Sequence, residues 1–143
     1  MTASKSLAFL DTNILVYAFE PIASSKRGRA QSLVNQALDA KDAVISFQIV
    51  QEFLNVAMRK FPQPMGQSEA QFYLAHVLMP LCEVFPGEAL YYEALSIRDE
   101  TGWSFYDSLM VSAALAAGCG VIFTEDLEHG RRIRGAEIRN PFL

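Results

Sequence analysis

The sequence predicts an α/β fold, an α/β/α sandwich with a mainly parallel sheet of four to five strands. Short, continuous apolar runs alternate along the chain with longer segments of helical spacing. Strands that alternate with helices are joined by right-handed crossovers into a parallel sheet. With 143 residues, 51% of them hydrophobic, the chain is long enough to bury one core but short for two. We therefore expect a single domain over residues 1–143.

The predicted strands are apolar runs of a few residues, which is typical of strands buried on both faces of a sheet. Four runs stand out, with a weaker fifth: residues 7–10, 44–45, 83–85, 121–124 and 137–139. Strands this short leave most of the chain to helices and connections, as a layered α/β fold requires.

Five longer segments have the spacing of helices: residues 29–40, 47–61, 68–81, 88–101 and 105–117. The second is the clearest, because its apolar residues fall on one helical face. Gly102 and Gly118 stand where two of these helices would stop. Residues 61–66, Phe-Pro-Gln-Pro-Met-Gly, are the one break rich in proline and glycine, and they predict a connection between two helices.

No segment has the pattern of a membrane span or a signal peptide. The longest apolar runs fall far short of the roughly 20 residues that cross a bilayer, and no charged-then-apolar segment opens the chain. We therefore predict a cytoplasmic protein with no membrane partner. Cys82 and Cys119 have neither CxxC spacing nor a nearby histidine, so buried free thiols are predicted in place of a zinc site.

The net charge of −4 at first argues against a nucleic-acid partner, because phosphate binding normally needs a basic surface. However, setting aside the four acids discussed next, of 16 in total, leaves as many acidic residues as the 12 basic ones. The whole negative excess would then lie in one metal pocket. Two basic clusters, residues 26–29 and 131–134, are candidate phosphate contacts, with solvated surface as the equal alternative.

Carboxylates follow two of the predicted strands. Asp11 closes the first strand, and Asp126 follows the fourth by two residues. If these strands are adjacent and parallel, both side chains lie at the carboxyl edge of the sheet, where ligands gather in such folds. Oxygen ligands suit Mg²⁺ or Mn²⁺. The competing explanation for Asp11 is that it caps a helix beginning near Ile14.

Two further carboxylates lie on predicted helices. Glu52 belongs to a polar stripe opposite the apolar face of the second helix, and taken alone it is more simply a solvated surface residue. Asp107 comes three residues after Ser104, a spacing that first suggests a helix cap. The joint occurrence of four acids at two strand ends, a helix face and a helix start favours one shared site over four separate explanations.

Four segments carry a resemblance to a known family. They are Phe9-Leu-Asp11-Thr-Asn13-Ile-Leu, Ser46 through Glu52-Phe53, Trp103-Ser-Phe-Tyr-Asp107-Ser-Leu and Phe123-Thr-Glu-Asp126-Leu-Glu-His-Gly130. In these segments, which together extend over nearly the whole chain, the sequence resembles the PIN-domain family, and within it the VapC-type toxins of bacterial and archaeal toxin–antitoxin pairs. The segments occur in the order that the family has.

The resemblance implies a metal-dependent endoribonuclease. It implies that four acids bind Mg²⁺ or Mn²⁺ and carry catalysis: Asp11, Glu52, Asp107 and Asp126. Asn13 and Thr124 match the family's supporting polar positions, and Glu125 is a candidate extra or substitute ligand. The substrate would be RNA, cleaved to 5′-phosphate and 3′-hydroxyl ends. The partners would be a cognate antitoxin and a second copy of the chain in a homodimer.

Several residues near these segments have two interpretations. Trp103, Phe105 and Tyr106 are predicted to pack in the core, with stacking on RNA bases as the alternative. His129 is predicted to be a surface turn residue, and the alternative is a general base or a phosphate contact.

Two rival functions remain from the sequence. The first is a catalytically silent PIN-like module that binds protein or RNA, against which the retention of all four acids argues. The second is another α/β protein with an acid cluster, such as a receiver domain or a haloacid-dehalogenase-type phosphatase. A phosphatase would have Asp-x-Asp where the chain has Asp11-Thr-Asn13, and a receiver would have a late lysine, whereas none follows Lys60.

Overall fold

The structure, a computed structural model, describes residues 7–143 and contains one mixed sheet in this range. Its strands are β1 (Ala8–Leu10), β2 (Ala43–Ser46), β3 (Cys82–Val84), β4 (Val121–Phe123), β5 (Arg132–Ile133) and β6 (Ala136–Arg139). The six strands lie in the order β3-β2-β1-β4-β6-β5, and all neighbouring pairs are parallel except β5 with β6. The predicted fold class is confirmed.

All five predicted strands are present, and the sheet has one strand more. The additional strand, β5, lies in the basic cluster of residues 131–134 and forms a hairpin with β6. Arg134 and Gly135 form its turn with φ angles of 46° and 89°, the positive values that tight hairpin turns need. A strand made from two residues between arginines has no apolar run to predict it.

The helices are α1 (Thr12–Tyr17), α2 (Arg27–Ala40), α3 (Phe47–Arg59), α4 (Gln67–Tyr73), α5 (Met79–Leu81), α6 (Glu88–Thr101) and α7 (Phe105–Ala116). The boundaries of α2, α3, α6 and α7 lie within two residues of those predicted. Gly102, in the left-handed conformation that favours glycine, caps α6 as expected. The short helix α1 is the one that Asp11 was expected to cap under the competing explanation.

The predicted helix over residues 68–81 is interrupted by a π-helical segment, Leu74–Leu78, between α4 and α5. Pro80 lacks the amide hydrogen that would bond the carbonyl four residues earlier. Immediately before it, the Met79 amide donates to the Leu74 carbonyl, a bond across five residues. The interruption therefore coincides with a proline that helical periodicity alone does not reveal.

The core lies on both faces of the central strands. Every residue of β1 and β2 is buried, which requires layers of helix on both sides of the sheet. Helix α7 is buried continuously from Ser108 to Ala114 and packs against α6, where the Ser112 hydroxyl donates to the Leu90 carbonyl over 2.8 Å. Cys82 and Cys119 are free and buried, as predicted.

Two features of this fold bear on function. Since β1, β2, β4 and β6 run parallel, their carboxyl ends share one edge of the sheet, and the residues that follow them lie near one another. Within residues 7–143, no helix is both long and apolar enough to span a membrane.

Candidate active site

Asp11 lies at the carboxyl edge of the sheet, directly after β1, with only 6% of its surface exposed. Its amide donates to the Phe123 carbonyl on the adjacent strand β4 over 3.0 Å. One carboxylate oxygen, Oδ1, accepts a 2.6 Å hydrogen bond from the Thr12 amide at the start of α1. The two explanations for Asp11 are therefore compatible, because one oxygen caps α1 while the residue stands at the sheet edge.

Thr124 connects Asp11 to the segment that carries Asp126. It is fully buried directly after β4, and its hydroxyl donates to Asp11 Oδ2 over 2.7 Å. The same hydroxyl oxygen accepts from the Asp126 amide over 3.0 Å. A single buried side chain thus fixes the positions of both acids.

The proximity of Asp11 and Asp126 changes the proton affinity of Asp11. Burial and the negative charge of Asp126 raise the pKa of Asp11 from 3.8 to about 7, against the lowering effect of the hydrogen bonds from Thr124 and Thr12. A bound cation would relieve the same repulsion.

Glu52 on α3 belongs to the same electrostatic environment. Its side chain reaches water, yet crowding by the surrounding protein raises its pKa, and the charges of Asp107 and Asp126 raise it further. Gln48, one turn earlier, and Thr12 lower the pKa of Glu52 through their polar groups. The charge of Asp126 therefore acts on both Asp11 and Glu52, and the charge of Asp107 acts on Glu52.

Asp107 lies in the first turn of α7. Its amide donates to Ser104 Oγ over 3.1 Å, so the predicted cap at Ser104 is present. This cap uses the backbone of Asp107 and leaves its carboxylate for other contacts. The Gln48 amide group donates to the Tyr106 carbonyl over 3.1 Å and links α3 to the start of α7. The sequence did not lead us to predict this contact of Gln48, although Gln48 lies four residues before Glu52 on the same polar stripe.

Four buried side-chain oxygen atoms within residues 7–143 have no hydrogen-bond partner. They are Thr12 Oγ1, Ser46 Oγ, Gln48 Oε1 and Ser108 Oγ. All four belong to residues next to the acids or at the start of α3. Thr12 Oγ1 lowers the pKa of Glu52 although it forms no hydrogen bond that meets the usual geometric limits. Unpartnered buried oxygens are costly and normally bind ordered water or a ligand.

This oxygen-rich set fits a hydrated hard cation. No three Asp, Glu, His or Cys side chains of the described range converge closely enough to hold one ion by themselves. Mg²⁺ usually keeps several waters and takes one or two carboxylates directly. The residues therefore fit an ion held partly through water, with Asp11 and Asp126 as candidate direct ligands.

Glu125, a candidate extra ligand, is engaged elsewhere. Its carboxylate accepts hydrogen bonds from the Tyr17 hydroxyl and, over 2.9 Å, from Lys26 Nζ. Burial alone would raise the pKa of Glu125, but Tyr17 and Lys26 outweigh it and lower the pKa. Lys26 also lies 4.5 Å from the centre of the Tyr17 ring. These contacts pair Glu125 with Tyr17 and Lys26.

The remaining predicted residues have varied surroundings. Asn13 is half-buried in the first turn of α1, and its supporting role stays a prediction. His129 Nδ1 accepts from the Asn140 amide over 2.9 Å, as expected of a turn residue. Trp103 and Phe105 pack against the core, but core packing is wrong for Tyr106, because 69% of its surface is exposed.

Comparison with known families places this site in context. Residues 8–134, most of the chain, match the PIN domain family. The chain belongs to the PIN domain family. The matched range includes all four acids that the sequence singled out. The expected family resemblance is therefore confirmed.

Solved structures of similar fold come from toxin–antitoxin systems. A toxin–antitoxin complex from Klebsiella pneumoniae has a TM-score of 0.66 at 19% identity, with 94% of this chain and 97% of that chain covered. FitAcB from Neisseria gonorrhoeae has a TM-score of 0.64 at 17% identity, with 95% and 99% covered. VapC20 from Mycobacterium tuberculosis, described as a sarcin-ricin loop cleaving toxin, has a TM-score of 0.59 at 21% identity, with 83% and 91% covered.

At these identities the likeness shows that the PIN fold is shared. A search of curated protein sequences found no significant match.

Proposed function

We propose that this PIN domain is a metal-dependent endoribonuclease and the toxin of a type II toxin–antitoxin pair. In this proposal residues 1–143 form a single cytoplasmic nuclease domain that hydrolyses RNA with Mg²⁺ or Mn²⁺. The catalytic and metal-binding residues are Asp11, Glu52, Asp107 and Asp126. Asn13 and Thr124 support them.

One relation between the side chains carries the proposal: Asp126 raises the pKa of the buried Asp11 at the carboxyl edge of the sheet, and the charges of Asp107 and Asp126 raise the pKa of Glu52. Burying Asp11 beside Asp126 costs folding free energy, and a site of this kind is retained where it serves function. The surrounding oxygen atoms suit a hard divalent cation. RNA as the substrate is further supported by VapC20, the structural relative described as cleaving the sarcin-ricin loop.

The side chains divide the work of phosphodiester hydrolysis between them. When bound, a divalent cation activates water and offsets the charge that builds on the phosphate. Asp11 and Asp126 supply hard oxygen ligands, and the Thr124 hydroxyl holds Asp11 in a fixed orientation. Glu52, whose pKa is raised, is suited to accept a proton at its carboxylate. Asp107 completes the negative rim on the side of α7.

Cleavage of labelled single-stranded RNA tests this proposal. We expect the purified protein to cleave RNA in Mg²⁺ or Mn²⁺ and to lose all cleavage in a chelator. Asp107→Asn should lower the rate at least about tenfold, since partners around metal sites typically contribute ten- to a hundredfold.

The folding control for this variant is its melting temperature without metal. The Ser104 cap uses the Asp107 amide, which the variant keeps, and the substitution removes a negative charge, so stability should be equal or higher. Cleavage that resists both the chelator and the substitution contradicts the proposed site. Binding of RNA without any cleavage would favour the catalytically silent module instead.

A groove lined by apolar residues offers a place for the cognate antitoxin. It has a volume of about 620 Å³, and its lining includes Val16, Phe19, Val56, Phe61 and Met65. The structural relative from Klebsiella pneumoniae is described as a toxin–antitoxin complex, and FitAB and VapBC from Salmonella typhimurium are each described as bound to DNA. We propose that an apolar antitoxin segment occupies this groove.

A homodimer is the second proposed assembly. Phe72 and Met79, on the broken helix of residues 67–81, are 64% and 44% exposed. On helix α2, by contrast, Ala30, Leu33, Val34 and Ala37 are buried. We expect light scattering at micromolar concentration to give the mass of two chains. A monomer under these conditions would contradict the homodimer.

A further inference from the structure

We propose that Arg131, stacked on Trp103, is a phosphate-binding residue that holds the RNA backbone beside the four acids. This inference rests on the proposed ribonuclease function and assigns a substrate contact to it. Neither residue belongs to the acid cluster. Three observations carry the inference: the contact between the two side chains, their place in the chain, and the lack of an ion pair for Arg131 among residues 7–143.

The stacked pair joins the two segments that carry Asp107 and Asp126. The guanidinium carbon of Arg131 lies 4.7 Å from the centre of the Trp103 ring. Trp103 immediately precedes Ser104, the cap of α7, and Arg131 follows Asp126 by five residues. Both side chains are half-buried. The pair therefore links the segment before α7 to the segment after β4, and these two segments lead to Asp107 and Asp126.

The backbone of Arg131 is fixed as well. Its amide donates to the Glu128 carbonyl over 3.2 Å, and its carbonyl accepts from the Ile138 amide over 2.8 Å. With the backbone held by the sheet and the side chain held by an aromatic face, few rotamers remain for the arginine. Less conformational entropy is then lost when it binds a ligand.

Three of the six cations in the two basic clusters are neutralised by ion pairs within residues 7–143. Lys26 is paired with Glu125, Arg132 with Glu137, and Arg134 with Glu93 and Glu100. Arg131 has no ion pair within residues 7–143, and residues 1–6 contain no acidic side chain. It therefore keeps a full positive charge next to the negative rim.

Stacking leaves the chemistry of the guanidinium available. The guanidinium lies over the aromatic ring, and a guanidinium carries its N–H donors in its own plane, where they remain free for other partners. Such a fork matches two phosphate oxygens at once. The four acids repel the RNA backbone. A phosphate one or two nucleotides from the cleaved bond therefore gains the most binding energy from an oriented cation near these acids.

RNA binding at several salt concentrations tests this assignment. In a chelator, which prevents cleavage, Arg131→Ala should weaken binding of a labelled single-stranded RNA roughly tenfold, as expected for a charge-assisted hydrogen bond. It should also reduce the slope of log affinity against log salt by about 0.7, the loss of one phosphate contact on a single strand. In Mg²⁺ the same variant should raise KM with a smaller effect on kcat.

Conservative variants separate charge from orientation. Arg131→Lys keeps the charge, so its salt slope should equal that of the wild type while its affinity is intermediate. Trp103→Leu removes the ring but leaves the arginine, and it should weaken binding several-fold with an unchanged slope. Melting temperatures of all variants establish that each one folds.

Lys41→Asn is the matched control. Lys41 is exposed, has no ion pair in the described range and precedes β2, at the opposite edge of the sheet. Asparagine tolerates its left-handed backbone, for which φ is 55°. This variant loses the same charge and should bind RNA with nearly wild-type affinity and slope.

The outcomes separate this inference from the proposed function. Wild-type affinity and slope in Arg131→Ala, or an equal loss in Lys41→Asn, overturns the assignment even where RNA is cleaved. Failure of the wild type to bind RNA overturns both proposals. Binding that depends on Arg131 without any cleavage keeps the phosphate contact and rejects the hydrolysis.

Discussion

Asp11→Asn is expected to abolish RNA cleavage and, without metal above pH 7, to make the protein more stable than the wild type. The loss of cleavage should be at least about a hundredfold, because even outer partners of metal sites contribute ten- to a hundredfold. The gain in stability follows from burial, since the 6% exposed carboxylate beside Asp126 is costly to ionise. Asparagine has a similar shape and no charge.

The pH dependence of wild-type stability has the same cause. The pKa of Asp11 is about 7 in the folded protein and near 3.8 in the unfolded chain, so the folded state keeps this proton to higher pH. Between about pH 4 and pH 7 the free energy of unfolding therefore falls as pH rises, and it stays low above pH 7. A rise in pKa from 3.8 to about 7 corresponds to a loss of the order of 4 kcal/mol.

Thermal unfolding with and without Mg²⁺ measures these effects. In a chelator at pH 8, Asp11→Asn should melt several degrees above the wild type, since about 1 kcal/mol shifts the melting temperature by roughly 2–4 °C in a domain of this size. The variant should also lose most of the decline between pH 4 and 7. Mg²⁺ should stabilise the wild type at pH 8, because the ion compensates the buried charge, and it should stabilise the variant much less.

Asp39→Asn is the control. Asp39 is exposed on α2, and its substitution removes the same charge from a helix that carries none of the four acids. Its melting temperature and cleavage rate should match those of the wild type. If Asp11→Asn instead melts below the wild type in the chelator at pH 8, then the capping bond from the Thr12 amide outweighs the cost of the buried charge. The buried charge of Asp11 would then not be the dominant cost to stability.

The elements that the sequence predicted well are those whose side chains meet one uniform environment. β1 and β4 are buried on both faces, so continuous apolar runs mark them. α6 is bounded by Gly87 and Gly102, and its predicted limits are those observed. In each case the local pattern of residues and the tertiary surroundings favour the same structure.

Elements that depend on local exceptions were not predictable in this way. The π-helical segment of residues 74–78 has the apolar spacing of an ordinary helix, and its irregularity coincides with Pro80. Strand β5 exists because the positive φ angles of Arg134 and Gly135 turn the chain back beside β6. Arginine is an unusual residue in that conformation, and two acids of α6 hold its side chain.

The candidate site was predictable in its members but not in its contacts. Strand ends and the family resemblance pointed to Asp11 and Asp126, and parallel pairing of β1 with β4 brings the two together. The hydrogen bond from Thr124 to Asp11 joins residues 113 positions apart, and local spacing carries no signal for it. The same holds for the contact of Lys26 with Glu125, which only the three-dimensional arrangement reveals.

Thr124→Val is expected to reduce both stability and metal affinity strongly. Valine keeps the shape of threonine but loses the hydroxyl, so Asp11 Oδ2 loses a donor and the Asp126 amide loses an acceptor in a buried site. Each unsatisfied buried group costs about 1–3 kcal/mol. The missing donor also raises the pKa of Asp11 further, since this hydrogen bond lowers it. Mg²⁺ affinity and the rate of RNA cleavage should fall roughly ten- to a hundredfold.

Thr124→Ser separates the hydroxyl from the packing of the methyl group. Serine restores both hydrogen bonds and removes one buried methyl, which costs on the order of 1 kcal/mol. Calorimetric titration with Mg²⁺ should therefore find nearly wild-type affinity in the serine variant and weak binding in the valine variant. Equal affinities in the two variants would mean that the hydroxyl does not orient the acids. If these equal affinities are also below that of the wild type, the loss comes from packing at the end of β4.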